Sequence, residues 1–502
     1  MVLNFLLRLY AREPESTTGK HALEMTLFTL RKMAAGGMHD HLGGGFSRYS
    51  VDQFWHVPHF EKMLYDQAQL AIAYLDAFQI TRDVRFEKTA RDVLDYVRRD
   101  MTAPEGGFYS AEDADSEVVT GIDAPGHNRK AEGAFYVWTK AEIDVALGEV
   151  ADLFSFHYGV EANGNAPAGA DPHGEFVGKN ILIERHTVAE TSRHFGKGEN
   201  EVAEILERTR QTLFALRAKR PRPHLDDKII AAWNGLMISA FSRGAQVLGD
   251  AIYLAVAENA ATCLRTHLYD GASKTLVRNY RQGRSAVAGF ADDYAFVIQG
   301  LLDLYEASFE IEWLKFALDL QETQDGLFYD AENGGYFSGS GLDPSILLRM
   351  KEDNDGAEPA ASSVSALNLL RLAQIRGNGD FRQRAEETMA AFGGTLTRIP
   401  SAMPQMLVAL DFSASKPRQI VIAGPRDSAA TRALLREVHA HFAPVKVSLL
   451  ADGAEGSAFL EEKLEALRGM KPMNGKSVAY VCENFACQAP VSDAASLGKL
   501  LS

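Results

Sequence analysis

A loose internal repeat constrains the fold of this chain more than any other feature. Two helical runs are followed by a Gly-Gly-aromatic connection at Gly44-Gly45-Phe46, Gly106-Gly107-Phe108 and Gly334-Gly335-Tyr336. Glycine enters positive-φ turn positions without steric cost, and the aromatic that follows can pack on the next helix. The spacing is irregular, which excludes a regular solenoid. A closed ring of about six hairpins is expected instead, each inner helix burying one face on its neighbours. Such a ring leaves a central cavity at the end where the long loops gather.

The helical runs are His21 to Ala35, Pro58 to Gln79, Val84 to Arg99, Glu201 to Ala218, Asp227 to Leu248 and Ala251 to Tyr269. They continue with Ala291 to Phe309, Ile311 to Thr323, Pro359 to Ile375 and Phe381 to Phe392. Glu132 to Trp138 reads as a short strand, and Thr139 with Glu142 as a capping box opening a helix. Glu161 to Gly178, rich in glycine and proline, reads as a long surface loop; Lys274 to Tyr280 and Leu327 to Phe337 read as hairpins. After Ser413 the pattern alternates between β-rich and helical runs, which suggests a small α/β appendix. The expected division is 1–412 for the ring and 413–502 for the appendix.

At 502 residues the chain exceeds one simple core, while 46% hydrophobic and 24% charged residues match a globular protein. The net charge of -15 argues against nucleic acid, because phosphate binding needs a basic face. No apolar run approaches the roughly 20 residues that cross a bilayer, so no membrane role is expected. The opening MVLNFLLRLY lacks a basic start and a cleavage site, and its Val2, Leu3, Leu6, Leu7 and Tyr10 form a helical stripe rather than a signal peptide. Three cysteines give no disulfide framework, and a reducing, cytoplasmic setting is expected.

Polar and aromatic groups concentrate in Met38 to Ala68, MHDHLGGGFSRYSVDQFWHVPHFEKMLYDQA. Pro58 suits a first helical position, so the second helix is expected to start there. On that helix His59, Met63 and Asp66 would share a face. A histidine there can carry protons, because its pKa lies near neutrality, or simply order its loop. His39-x-His41 and His56-x-x-His59 have metal-ligand spacing, but no Cys or clear acidic ligand completes the set. Neither metal nor cofactor is expected.

The motifs HDHLGGGFSRYS, WHVPHFEKMLYDQAQLA, EGGFYSAEDADSE, DDKIIAAWNGLMISA, GFADDYAFVIQGLLDLYEA, KEDNDGAEPAASSVSALNLLRL and YVCENFACQAPVSD span most of residues 1–493. Together they resemble the spermatogenesis-associated, thioredoxin-domain-containing protein family, also called the bacterial YyaL-like family. The resemblance implies a mainly α (α/α)6 toroid, similar to the six-hairpin glycosidases and N-acylglucosamine 2-epimerases. The family normally carries an amino-terminal thioredoxin-like domain. No CxxC occurs in this sequence, Cys482 and Cys487 are spaced C-x4-C, and Met1 enters in what reads as the first toroid helix. Another departure is Ser47, where the family is expected to favour histidine.

Within such a toroid, acids on connections and helix starts converge on one mouth. Asp113, Asp227, Asp293 and Asp355 are of this kind, although a carboxylate at a helix start also serves as a cap. Glycoside hydrolysis needs two carboxyls about 5–10 Å apart, one protonated and one ionised. Trp55, Tyr49 and Trp233 are candidates to stack on sugar rings, with Arg48, Asn234 and Arg349 as polar contacts. The expected ligand is a small carbohydrate-like molecule. One expected activity is a sugar isomerase or epimerase with His59 or His56 as base beside Asp66. A glycosidase using a pair among Asp113, Asp227 and Asp293 is the variant, and a non-catalytic partner-docking scaffold the alternative.

Overall fold

Paired helices set the frame, their order in space following from short and long connections. A computed structural model describes residues 1–118, 130–171, 174–342, 345–483 and 486–501. The pairs begin with α1 (Val2–Arg12) and α2 (Thr17–Ala35), then α3 (Leu64–Thr81) and α4 (Val84–Asp100). A long excursion follows with α5 (Lys140–Leu147), α6 (Ala151–Tyr158), α7 (Val188–Phe195) and α8 (Glu199–Arg217). The pairs resume as α9 (Ala231–Leu248) with α10 (Ala251–Cys263), α11 (Ala291–Ser308) with α12 (Ile311–Phe328), and α13 (Ala361–Arg376) with α14 (Gly379–Ala391). The short α15 (Gly393–Arg398) leads into α16 (Pro404–Ala414).

Contacts run from α1 to α3, then to α9, α11, α13 and α16, and from α16 back to α1. Six inner helices therefore close a ring, the expected (α/α)6 arrangement, with α2, α4, α10, α12 and α14 packed outside. Within four of the hairpins, a left-handed residue ends the inner helix: Arg82, Gly249, Phe309 and Gly377, with φ of 60°, 66°, 56° and 62°. In three of these the next residue caps the outer helix, Asp83 onto the Arg85 N–H, Asp250 onto Ile252 and Asn378 onto Asp380. A two-residue turn reverses the chain, whereas the return to the next inner helix is long. All inner helices therefore start at one end, where the long connections gather.

The Gly-Gly-aromatic repeat is the device that docks each return onto the ring. A Cβ on Gly44 or Gly334, both at positive φ, would meet the carbonyl oxygen of Asp92 or Glu387 on an outer helix at 2.4 Å. The backbone of the following aromatic is gripped from both sides by one side chain of the next inner helix. Gln67 accepts from the Phe46 N–H and donates to its carbonyl, at 2.8 and 2.7 Å. Asn234 does the same for Phe108 at 2.7 and 3.0 Å, and Ser362 for Tyr336 at 3.0 and 3.2 Å. Two of the turns carry a further lock: Lys62 bridges Asp40 and the Gly44 carbonyl, and Lys351 bridges Asp330 and the Gly334 carbonyl. Replacing Asn234 by Ala strands a buried N–H and C=O, and is expected to lower unfolding free energy by about 2–4 kcal/mol. Urea denaturation measures this.

The C-terminal sheet holds Arg418–Ala423 between parallel Lys446–Ala451 and antiparallel Val478–Glu483, with Ala486–Cys487 outermost. Helices α17 (Ala429–Ala440), α18 (Glu455–Lys463) and α19 (Ala494–Leu501) accompany it, as the alternating pattern suggested. The sheet and α17 rest on the far ends of inner helices. Gln79 donates to the His439 carbonyl at 2.6 Å, Glu306 accepts from the Ser448 N–H at 3.0 Å, and Gln419 donates to the Gln374 carbonyl at 3.0 Å.

Four local expectations are corrected. Pro58 does not start a helix: Pro58–His59 pairs antiparallel with Tyr49–Ser50, Lys62–Met63 pairs with Ala111–Glu112, and α3 begins at Leu64. Asp227 does not start one either, because Leu225–Asp226 and Ile229–Ile230 are both in strand pairs and α9 begins at Ala231. In Glu132 to Trp138 only Glu132 belongs to a strand, after which Gly133, at φ 69°, turns the chain. Cys482 and Cys487 are joined by a disulfide, across two paired strands. Among the described residues no helix is long and apolar enough to cross a membrane.

Candidate active site at the mouth of the ring

The inner-helix starts surround a mouth that narrows into a cavity of about 60 Å³, lined by Met1, Asn4, Gln69, Gln299, Pro359 and Gln405 among others. Asp66 lies in the first turn of α3, and one of its buried oxygens, Oδ2, has no hydrogen-bond partner among the described residues. Burial pushes Asp66 up to about 8, against the pull of Arg48 and with the help of Glu358 and Glu61. Glu358 lies just ahead of α13, where Gln69 ties the loop down by donating to the Ala357 carbonyl at 2.8 Å. The indole N–H of Trp233, in the first turn of α9, donates to Glu358 at 2.6 Å. Burial raises Glu358 to about 7, opposed by that hydrogen bond and reinforced by Asp292. Tyr65 meets Trp233 edge-on, with ring centroids 5.0 Å apart. Two carboxyls able to hold a proton near neutrality thus share one aromatic-walled mouth.

The other expected site residues are distributed as follows. His59 lies on a strand at the rim, stacked on Tyr49 at 4.9 Å, and its Nδ1 meets Glu132 at 2.7 Å. Its Nε2 is 3.8 Å from Glu61, which binds Arg48 at 3.0 Å, and Glu61 and Arg48 both act on the charge of Asp66. His59 does not share a helical face with Met63 and Asp66. His56 is buried elsewhere, among Asp52, Asn165, Glu161 and Arg185, and burial lowers its pKa. Trp55, at φ 62°, is half-buried against the first turn, its carbonyl accepting from the Gly37 N–H at 2.8 Å. Asp113 is exposed, and its N–H donates to the His224 carbonyl. Asp227 pairs with Arg281 at 2.5 Å.

Asp293, fully buried, caps α11 by accepting from the Phe290 N–H, accepts from the Ala232 N–H at 3.0 Å and pairs with Arg278 at 3.0 Å. Both its oxygens hold helix starts in place. Asp355 likewise accepts the Ala360 and Gln405 N–H groups at 2.8 and 2.7 Å. Asn234 is occupied by Phe108, and Arg349 donates to the Gly339 and Leu327 carbonyls while covering the Phe337 ring at 4.2 Å. These four are therefore engaged in the scaffold rather than held out to a ligand. His39 and His41 bond the Ala34 and Gly36 carbonyls at 3.1 and 2.9 Å, and burial lowers both to about 4. Neutral imidazoles in such contacts order the turn.

Sequence reasoning missed Glu358 and Tyr65. The one signal for Glu358 was an acid directly before Pro359 at a helix start, in a segment whose aspartates drew attention first.

A six-membered ring of helix hairpins with an acidic, aromatic mouth is thus the class that fold and site define. The chain belongs to the spermatogenesis-associated protein 20 family. It is 44% identical to the human protein of that name, over all of this chain and 65% of the relative, so it spans about two-thirds of that protein's length. An uncharacterized protein of Caenorhabditis elegans is 35% identical over all of this chain and 69% of its own length. No family model matches. Similar solved structures include cellobiose 2-epimerase from Bacillus thermoamylovorans, with TM-score 0.43 and 8% identity over 77% of this chain and 73% of that one. A GH76 α-mannanase from Bacteroides thetaiotaomicron gives TM-score 0.39 and 9% identity over 82% and 72%.

Proposed function

We propose that the mouth of the ring is the active site of a carbohydrate isomerase or epimerase, with Asp66 and Glu358 as its acid–base pair. The observation that carries this reading is the pair itself: carboxyls raised to about 8 and about 7 beside Trp233 and Tyr65. Taking a proton from carbon next to a carbonyl needs a base stronger than an ordinary carboxylate, and a pKa near the working pH serves both directions of transfer. The ionised carboxyl removes the proton from carbon and becomes protonated, and the protonated carboxyl delivers its proton to the enediolate and becomes ionised. The pair ends with its protonation states exchanged, and proton exchange with solvent resets it. Gln69, Gln299, Gln405 and Asn4 below the acids suit a ligand with many hydroxyls, and Trp233 suits a sugar's apolar face.

A hydrolase would require an acid with an ionised partner. Asp113, Asp227 and Asp293 are exposed, ion-paired and fully hydrogen-bonded respectively, so no pair among those three serves as the acid and ionised partner of a glycosidase. A partner-docking scaffold is the second reading, supported by exposed Leu342, Leu347, Leu348 and Met350 on one connection.

Incubation with a panel of reducing aldoses and ketoses in deuterated water tests the proposal. Loss of the proton NMR signal next to the carbonyl is the expected result. An unchanged signal for every sugar, with the protein folded, overturns the isomerase and leaves the scaffold.

A further inference from the structure

A second cavity, of about 150 Å³, lies at the opposite end of the ring, between inner-helix arginines Arg8, Arg243 and Arg371 and the segment from His439 at the end of α17 through Pro444 to Lys446 at the start of its strand. The carboxylates near it are already engaged. Arg243 pairs with Asp76, and Arg371 with Asp303 and Glu306 at 2.7 and 2.8 Å. The other Glu306 oxygen accepts from the Ser448 N–H, and Asp411 pairs with Arg12 at 2.9 Å.

Two cations, Arg8 and Lys446, stand outside these direct pairs, and the group as a whole keeps an excess positive charge. Arg8 donates to the Pro444 carbonyl at 3.0 Å, and Lys446 to the Ser448 hydroxyl at 3.2 Å. Neither forms an ion pair among the described residues. Both side chains line the cavity. Burial lowers His439 to about 3, so it adds no further positive charge near neutrality, and His441 is hydrogen-bonded to Glu437 at 2.9 Å. Burial lowers Arg8 and Lys446, and the opposing pull of nearby carboxylates, Asp76 and Asp411 on Arg8 and Glu306 and Asp303 on Lys446, offsets this only in part. Cations so placed are costly unless an anion joins them.

We propose that this basal cavity binds a small oxyanion, inorganic phosphate or the phosphate of a small phosphorylated ligand, between Arg8 and Lys446. The space equals about five water molecules at roughly 30 Å³ each, enough for a tetrahedral anion and a companion water. Asn4, Ile72, Gln299 and Gln405 line both this cavity and the mouth cavity, so the ring axis connects the two. From Trp233 to Arg243 along α9 the levels differ by about 15 Å at 1.5 Å per residue. A free anion fills the basal site alone, whereas a phosphorylated sugar extends from it toward the mouth. The site stands on its own geometry, whatever chemistry the mouth performs.

Calorimetric titration and thermal melts with inorganic phosphate and with glucose 6-phosphate, at matched ionic strength, test this. Inorganic phosphate is expected to bind and to raise the melting temperature by about 3 °C at a 100-fold excess over its Kd. Tighter binding of glucose 6-phosphate assigns the site to a phosphorylated ligand, and equal or weaker binding assigns it to the free anion. Lys446→Met is expected to weaken binding at least tenfold while leaving the ligand-free melting temperature the same or higher, because it removes an unpaired cation. Lys446→Arg is expected to retain binding. If Lys446→Met does not fold, Lys446→Gln serves in its place. No heat and no thermal shift with either compound up to about 20 mM, or unchanged affinity after Lys446→Met, overturns the proposal.

Discussion

Replacing Asp66 by Asn is expected to slow sugar proton exchange by about 100-fold or more, the range for removing a positioned general acid or base. The same change should not cost stability. Asp66 offers a carboxyl with an unpartnered buried oxygen, and an amide of the same shape has no charge to desolvate. The pH dependence has a definite sign. The folded pKa of Asp66, about 8, lies above the ordinary carboxylate value near 4, so the folded state binds the extra proton across that window. The contribution is complete below pH about 4 and is lost as pH rises through about 8. Wild type should therefore lose stability relative to Asp66→Asn between those limits, which melts at a series of pH values read directly. A loss of exchange accompanied by an equal collapse of stability would instead make Asp66 a structural group.

The largest stability effect is expected from Asp40→Ala. Asp40 is buried and receives both nitrogens of Arg217, at 2.7 and 2.8 Å, together with Lys62 at 3.0 Å. Burial pushes Asp40 up, but Arg217 and Lys62 overcome it and hold the carboxyl well below its usual range. Lys62 also lies over the Tyr96 ring at 4.2 Å, and Arg217 over Phe135 at 5.0 Å, so both cations are enclosed by aromatics. Removing the carboxylate leaves two buried positive charges uncompensated, at a cost of about 3–5 kcal/mol. Lys62→Met in the Asp40→Ala background should recover part of that loss, because it withdraws one of the stranded charges. A double-mutant cycle in urea measures the coupling; strict additivity would show that Lys62 and Asp40 act independently. Since Asp40 is depressed in the folded state, its contribution is present above pH about 4 and lost on acidification.

The architecture was legible because it is written in local chemistry. Asp83, Asp250 and Asn378 mark the starts of outer helices, and the Gly-Gly-aromatic triplets mark where returns dock. The C-terminal alternation announced its sheet in the same way. The site was less legible because two pulls compete at the same residue types. Asp293 and Asp355 look like site acids in sequence, yet their oxygens bind backbone N–H groups of helix starts. Pro58 has the φ of a first helical residue, but pairing with Ser50 places it in a strand, and His59 goes with it. Glu358 gains its character from burial beside Trp233 and Asp292, partners 125 and 66 positions away in the chain. No spacing rule carries that information. Asp66 was named for a helical face shared with His59, and what distinguishes it in the fold is the burial of an unpaired oxygen.

The central claim is that the mouth stores protons on Asp66 and Glu358 near neutral pH. Difference titration of carboxyl carbons by 13C NMR, comparing wild type with Asp66→Asn and Glu358→Gln, tests it without any substrate. A resonance titrating near pH 8 is expected to be missing from Asp66→Asn and one near pH 7 from Glu358→Gln, while Asp293, also pushed up to about 7 by burial, keeps its resonance in both variants. Carboxyls that all titrate below pH about 5.5, with neither substitution removing a high-pKa resonance, would contradict it.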